Sequence, residues 1–233
     1  MDGPRTHTQQ PAVTGTSVLG IKYKDGVMLA ADTLASYGRL SKYRDTTRLV
    51  GVGQHTVVGA GGDISDFQHI QHVLTSLTTQ EYDFDDGHSL GPKNVHGYLA
   101  RLLYARRSKF NPLWNSLIVG GVKNGESFLG YVDLQGTTYM SPCIATGFGA
   151  HLAIPLMRTA CEGGRDAQLS AQDAKKVLEE CMRVLFYRDC SSFNKIQIAT
   201  VDASGISITE PYSLSTEWSF AENIRGYGAV YGE

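Results

Sequence analysis

Five consecutive apolar residues, Val27-Met28-Leu29-Ala30-Ala31, follow directly on an Asp25-Gly26 pair. An Asp-Gly pair between two apolar runs marks a tight hairpin. Upstream of it, Leu19, Ile21 and Tyr23 alternate with smaller or polar residues, so the first arm reads as a half-buried strand starting near Thr16. The second arm has no polar face to offer to water and must be covered on both sides. That requirement excludes a lone sheet with one wet face. It asks for a further layer of structure on each side of this hairpin.

The rest of the chain can supply those layers. Strands are expected at 48–52 and 56–60, and a glycine-rich turn, Gly59-Ala60-Gly61-Gly62, should then lead into a helix. Ile64, Phe67, Ile70, Val73, Leu74 and Leu77 give that helix an apolar stripe at 3.6-residue spacing. Residues 83–87 read as an acidic loop. Pro92 suits the first turn of a second helix, with Val95, Tyr98, Leu99 and Leu102 along one face. A second hairpin is expected around Lys123-Asn124-Gly125, joining 117–119 to 128–132. A helix should follow Gly147. Ser170 and Asp173 have capping-box spacing ahead of another, marked by Ala174, Val177, Leu178, Cys181 and Leu185. A last hairpin joins 196–201 to 206–208.

Strands, two helices, strands, two helices, strands, with no linker and no repeat, predict one α+β domain in four layers, α-β-β-α. The expected boundaries are a polar N-terminal tail over 1–15, partly removable as a propeptide, a domain over 16–210, and a C-terminal extension over 211–233.

Composition excludes several classes of function. With 42% hydrophobic residues the chain is too apolar to stay disordered. A formal net charge of −2 argues against a dedicated binder of nucleic acid or acidic membrane. No apolar run approaches the roughly 18–20 residues of a membrane span, and the N-terminus lacks the basic start and apolar core of a secretory signal. Cys143, Cys161, Cys181 and Cys190 show no C-x-x-C spacing and read as free thiols, with Cys190 expected to be buried. His69, His72 and His88 have no metal-ligand partners in the sequence. Neither a metal nor a cofactor is expected.

One residue pair raises a catalytic possibility. A threonine freed at its own amine can act as a nucleophile, and Gly15-Thr16 would be a natural cut. Alone the pair carries no weight. In order with Ala30-Ala31-Asp32, Gly61-Gly62 and Tyr187-Arg188-Asp189-Cys190-Ser191-Ser192, it resembles the β-type subunits of the proteasome core particle. The resemblance runs from 16 to 208. Three segments, YARRSKFNPLWN at 104–115, ATGFGA at 145–150 and CMRVLFYRD at 181–189, resemble a non-catalytic branch of that family.

The resemblance implies the N-terminal nucleophile hydrolase fold and a site, residue by residue. The nucleophilic threonine falls on Thr16, the supporting aspartate on Asp32, and the oxyanion glycine on Gly62; the late aspartate and serine fall on Asp189 and Ser192. Three positions depart. The arginine after the aspartate falls on Leu34, the activating lysine on Arg48, and a serine near the nucleophile on Phe148. Arginine cannot serve as a base, so Arg48 is expected to form a static ion pair with Asp32. Phe148 is expected to fill the place of a hydroxyl and shed water.

The chain therefore reads as a structural, non-catalytic subunit that supports ring assembly around a closed chamber for protein degradation, often of ubiquitin-tagged proteins. The alternative is an active threonine endopeptidase using Thr16. The segment Thr8-Gln9-Gln10-Pro11 resembles a mature start, which implies a cut before Thr8 by a neighbouring active subunit. Implied partners are other α and β subunits in a stack of heptameric rings, with Tyr227 and Tyr231 of the C-terminal tail reaching a β subunit of the opposite ring. The basic cluster Arg101, Arg106, Arg107 and Lys109 reads equally as a subunit contact or as a solvated helix end. The implied location is cytoplasm and nucleus.

Overall fold

A computed structural model describes residues 10–219. Its strands form two antiparallel sheets. The smaller sheet is built on the Asp25-Gly26 hairpin: β2 (Val18–Tyr23) pairs with β3 (Gly26–Asp32), β3 with β12 (Ile196–Asp202), β12 with β13 (Gly205–Ile208), and β11 (Cys143–Ala145) lies on the outer edge of β2. Every residue of β3 is buried, as a strand without a polar face requires.

The larger sheet holds β1 (Val13–Gly15), β4 (Ala35–Tyr37), β5 (Leu40–Tyr43), β6 (Leu49–Val52), β7 (Thr56–Asp63), β8 (Asn115–Lys123), β9 (Glu126–Val132) and β10 (Thr138–Met140). Its order is β10-β9-β8-β7-β1-β4-β5, with β6 also paired to β7. The turn between β8 and β9 uses Asn124 and Gly125 at φ +54° and +76°, the conformation an Asn-Gly hairpin supplies at least steric cost.

Helices α1 (Ile64–Phe84) and α2 (Pro92–Ser108) cover the outer face of the larger sheet. Helices α3 (Gly149–Leu152), α4 (Ile154–Cys161) and α5 (Ala171–Arg188) lie against the smaller one. Three apolar layers result. Phe67, Ile70, Leu74, Val95, Leu99 and Leu103 meet Val58, Leu117 and Val119 on one side. Leu19, Ile21 and Met28 meet Leu178, Cys181 and Leu185 on the other. Val18, Val27, Leu29, Leu49, Val57, Ile118 and Leu129 fill the space between the sheets. Helix, sheet, sheet, helix is the four-layer α+β sandwich that the sequence pattern predicts.

Several local expectations are corrected. Thr16 starts no strand; it lies between β1 and β2, in neither. Residues 13–15, read as tail, form β1 inside the larger sheet. The stretch Gly59-Ala60-Gly61-Gly62 is the second half of a central strand, not a turn. Its glycines answer to crowding: a Cβ at Gly59 would lie 2.7 Å from Val18 and 3.0 Å from Leu49, in the contact between the sheets. Asp83 belongs to the last turn of α1 rather than to a loop. At α5 the Ser170 hydroxyl accepts from the Asp173 N–H at 3.1 Å, and donates to the Asp173 carboxylate at 2.7 Å. Cys190 is exposed, not buried.

Candidate functional site

Three elements converge on Thr16. The first is β7, whose one edge carries two partners in succession. β6 runs beside Thr56 to Gly59, and β1 runs beside Gly62 and Asp63. The second is β1, which lies between β7 and β4, with Val13 and Thr14 opposite Tyr37 and Ser36, and Gly15 opposite Gly62. The third is the end of α5, where Asp189 caps the helix and is buried. Thr16 Oγ1 donates to Asp189 Oδ2 at 2.7 Å and lies 3.1 Å from Ser17 Oγ. The other Asp189 oxygen accepts from the Ser191 N–H at 2.9 Å.

The notch left on β7 between β6 and β1 is filled by Arg48. Only 1% of the residue is exposed. Its Nε donates to Ala60 O at 3.2 Å, and one terminal nitrogen pairs with Asp32 Oδ1 and reaches Asp32 O. The other donates to Thr16 O at 2.8 Å and Ser17 O at 3.1 Å. A guanidinium has five N–H donors and no acceptor; here each donor has an acceptor. Asp32 is buried as well, and its second oxygen accepts from the Phe193 N–H at 2.9 Å. Burial pushes the Asp32 carboxyl upward, and the Arg48 charge pulls it back. Burial acts in the opposite sense on Arg48, with Asp32 restoring it. A guanidinium stays protonated in such a setting.

The structure brings Thr16, Asp32, Arg48, Gly62 and Asp189 into one cluster. Gly62 has φ +91°, and a Cβ there would run into the Trp114 carbonyl and lie 3.1 Å from Asn115 Cα. Gly15 has no room for a side chain either, since a Cβ would lie 2.8 Å from Arg48 Cζ. Ser192 is nearby, but its hydroxyl serves the end of α5, at 2.9 Å from Leu185 O and 2.8 Å from Asp189 O. Leu34 is buried. Phe148 does not fill a hydroxyl's place: its side chain turns to solvent and the residue is 58% exposed. Its neighbour Gly149 instead donates a backbone N–H to Ser17 Oγ at 2.9 Å.

Two contributors escape sequence reasoning. Thr146 Oγ1 accepts from the Val18 N–H at 2.9 Å and so fastens the segment before α3 to the start of β2. Asp63 caps α1 through the N–H groups of Ser65 and Asp66, and its other oxygen takes the Ala12 N–H at 2.9 Å, which ties down the chain leading into β1. An Asp just ahead of an apolar helical stripe was a readable cap signal; the Ala12 contact had none.

The remaining partner candidates differ in how they sit. Arg106 Nε donates to Asn111 O at 3.0 Å, and the Arg107 guanidinium lies 5.6 Å over the Tyr104 ring. Tyr227 and Tyr231 lie outside the described residues. Among the described residues no cluster of three His, Cys, Asp or Glu could hold a metal ion, and no helix is long and apolar enough to cross a membrane.

The sequence matches the proteasome subunit family over residues 12–201. It is 51% identical, over 97% of this chain and 87% of the relative, to a Schizosaccharomyces pombe protein named probable proteasome subunit beta type-7. It is 48% identical to proteasome subunit beta type-4 of Xenopus laevis, over 97% of this chain and 92% of that one. Against proteasome subunit beta type-7 of Saccharomyces cerevisiae the identity is 47%, over 97% and 88%. The chain belongs to the proteasome subunit family.

Proposed function

We propose that this member of the proteasome subunit family is a non-catalytic structural β subunit of the core particle, its threonine site closed by the chain itself. The observation that carries this reading is Arg48. Proton transfer from a threonine hydroxyl needs a group that can accept a proton. The residue beside the Thr16 peptide is a guanidinium with no lone pair to offer and five N–H donors already committed. Losing one positioned acid or base costs about 100- to 10,000-fold in rate.

Strand β1 adds a second obstacle. While Gly15 is joined to Thr16, Thr16 has an amide nitrogen and no free amine. Val13 to Gly15 also pair with β4 and β7, so no other extended peptide can add to those strand edges there. A cut before Thr8 by a neighbouring active subunit would leave β1 in place.

On this reading the chain assembles with other α and β subunits in stacked heptameric rings. The tail beyond residue 219, with Tyr227 and Tyr231, contacts a β subunit of the opposite ring, and the protein works in cytoplasm and nucleus on protein degradation. Residues 211–219 are consistent with a strap that leads to such a tail. Leu214 is buried, Tyr212 Oη donates to Glu179 at 2.7 Å, and Trp218 packs edge-on against Tyr187 with ring centroids 5.0 Å apart.

The active-peptidase alternative rests on Thr16, Asp32, Gly62, Asp189 and Ser192. The commitment of Arg48 and Ser192 to structural hydrogen bonds weighs against it. The test is Thr16→Ala in the native assembly, assayed with small fluorogenic peptides of acidic, basic and apolar specificity. All activities should remain at the level of the unsubstituted complex. Selective loss of one of them would overturn the reading.

A further inference from the structure

Residues 87–125 contain no aspartate or glutamate and six cationic side chains. The charge concentrates where α2 ends. Arg101, Arg107 and Lys109 form no ion pair among the described residues, while Lys93 is matched by Glu126 at 2.7 Å. Arg101, Tyr104 and Arg107 adjoin on the exposed side of the helix, at spacings of three residues.

The turn that follows is unusual. Phe110 has φ +53°, the left-handed region that favours glycine at a helix C-terminus. Its N–H donates to Arg107 O and that of Asn111 to Arg106 O, both at 3.1 Å, so the turn is a closed helix cap. The side chain held there is 90% exposed. A phenylalanine at a glycine position strains the backbone, and a ring in water returns no burial. Neither feature stabilises the isolated chain, and strain of this kind concentrates at functional positions.

We propose that the Phe110 turn is a docking knob for an acidic protein surface with an apolar socket. The ring enters the socket, and carboxylates at its rim meet Arg101, Arg107 and Lys109. Charge complementarity selects the partner: the patch has four cations over 101–109, no acid, and an aromatic anchor at its tip. A nucleic acid would use the cations but has no need of a strained ring at the end of a closed cap. This inference rests on the structural-subunit reading, which makes the partner another chain of the same assembly.

Two variants separate the local effect from the docking effect. In Phe110→Gly the turn is relieved, so the purified full chain should melt about 2–4 °C higher. The same variant, tagged and expressed beside the untagged wild-type chain, should enter the purified assembly about tenfold less than tagged wild type, the loss typical of a buried aromatic anchor. Arg107→Glu with Lys109→Glu should show a similar deficit. A photo-crosslinking benzoylphenylalanine at 110 should join to a peptide containing Asp or Glu. Incorporation of both variants at the wild-type level overturns the proposal and leaves the structural reading standing. So does a crosslink only to peptides free of acid. If charge reversal instead releases bound nucleic acid while Phe110→Gly incorporates normally, the surface is a nucleic-acid site and the proposal is wrong. Failure of tagged wild type itself to enter the assembly refutes the structural reading, and this inference with it.

Discussion

Replacing Arg48 by methionine removes the charge and all five donors while keeping most of the buried apolar stem. Asp32 then stays buried with the Phe193 N–H as its remaining partner, and the carbonyls of Thr16, Ser17 and Ala60 lose theirs. Deleting one member of a buried ion pair costs about 3–5 kcal/mol, because the survivor is an uncompensated buried charge. Against a total stability of about 5–15 kcal/mol, that is a large fraction. The assay is urea unfolding of the full chain by far-UV circular dichroism. The cause can be isolated by adding Asp32→Asn, which removes the stranded charge but keeps an acceptor for Phe193; the double variant should recover at least about 1 kcal/mol of the loss. The pH dependence has a definite sign. The Asp32 carboxyl is raised above its ordinary 3.8 by burial, and without Arg48 its main opposition is gone, leaving the Phe193 N–H to hold the rise back. A raised folded-state value makes its contribution to stability fully present below about 3.8 and lost as pH climbs through the folded value. Arg48→Met should therefore be least destabilising near pH 4 and most destabilising at neutral pH. A loss under about 1 kcal/mol, a double variant weaker than the single, or a loss that grows on acidification would each show that Arg48 does not neutralise a buried Asp32 charge.

Other consequences follow from the same geometry. Arg48→Lys restores the residue type implied by the family's active members, yet an ammonium offers at most three of the five bonds; the chain should lose about 1–3 kcal/mol in urea unfolding and still fail to react with a covalent trap for N-terminal threonine. Gly15→Ala drives a methyl into the Arg48 guanidinium and should cost about 1–3 kcal/mol by the same assay. Asp63→Ala removes the cap of α1 and the anchor of Ala12 together; about 0.5–2 kcal/mol should be lost, and limited proteolysis should newly cut near residue 12.

The parts of the fold legible in sequence were those fixed by local pattern. The paired apolar faces of β2 and β3, the Asn124-Gly125 turn and the stripe of α1 each declare themselves within twenty residues. What escaped was decided at long range. Val13-Thr14-Gly15 is three residues of mixed polarity, and only the slot between β4 and β7 makes it a strand. Strands β4 and β5 are short, and β5 is wholly exposed, so no alternation marks them. Gly59 to Gly62 carry turn composition because β7 is crowded by the facing sheet and by Thr16, a cause found in the partner elements and not in the segment. At the site, the resemblance supplied the position where Arg48 stands in for a lysine, and residue chemistry then excluded it as a base. The role of Phe148 was not: its rotamer turns outward, and the neighbouring backbone N–H of Gly149 occupies the contact with Ser17.

Thr16 stays without a free amine only if the Gly15–Thr16 peptide bond survives in the working protein. Intact-mass spectrometry of this chain, taken from the native assembly, measures that directly. A mass retaining residues ahead of Thr16, such as a start at Thr8, is the predicted result. It would leave β1 in its slot, Thr16 without a free amine and Arg48 as a structural clamp. A mass beginning at Thr16 would contradict the account, because the bond would have been cut in a site built around a guanidinium.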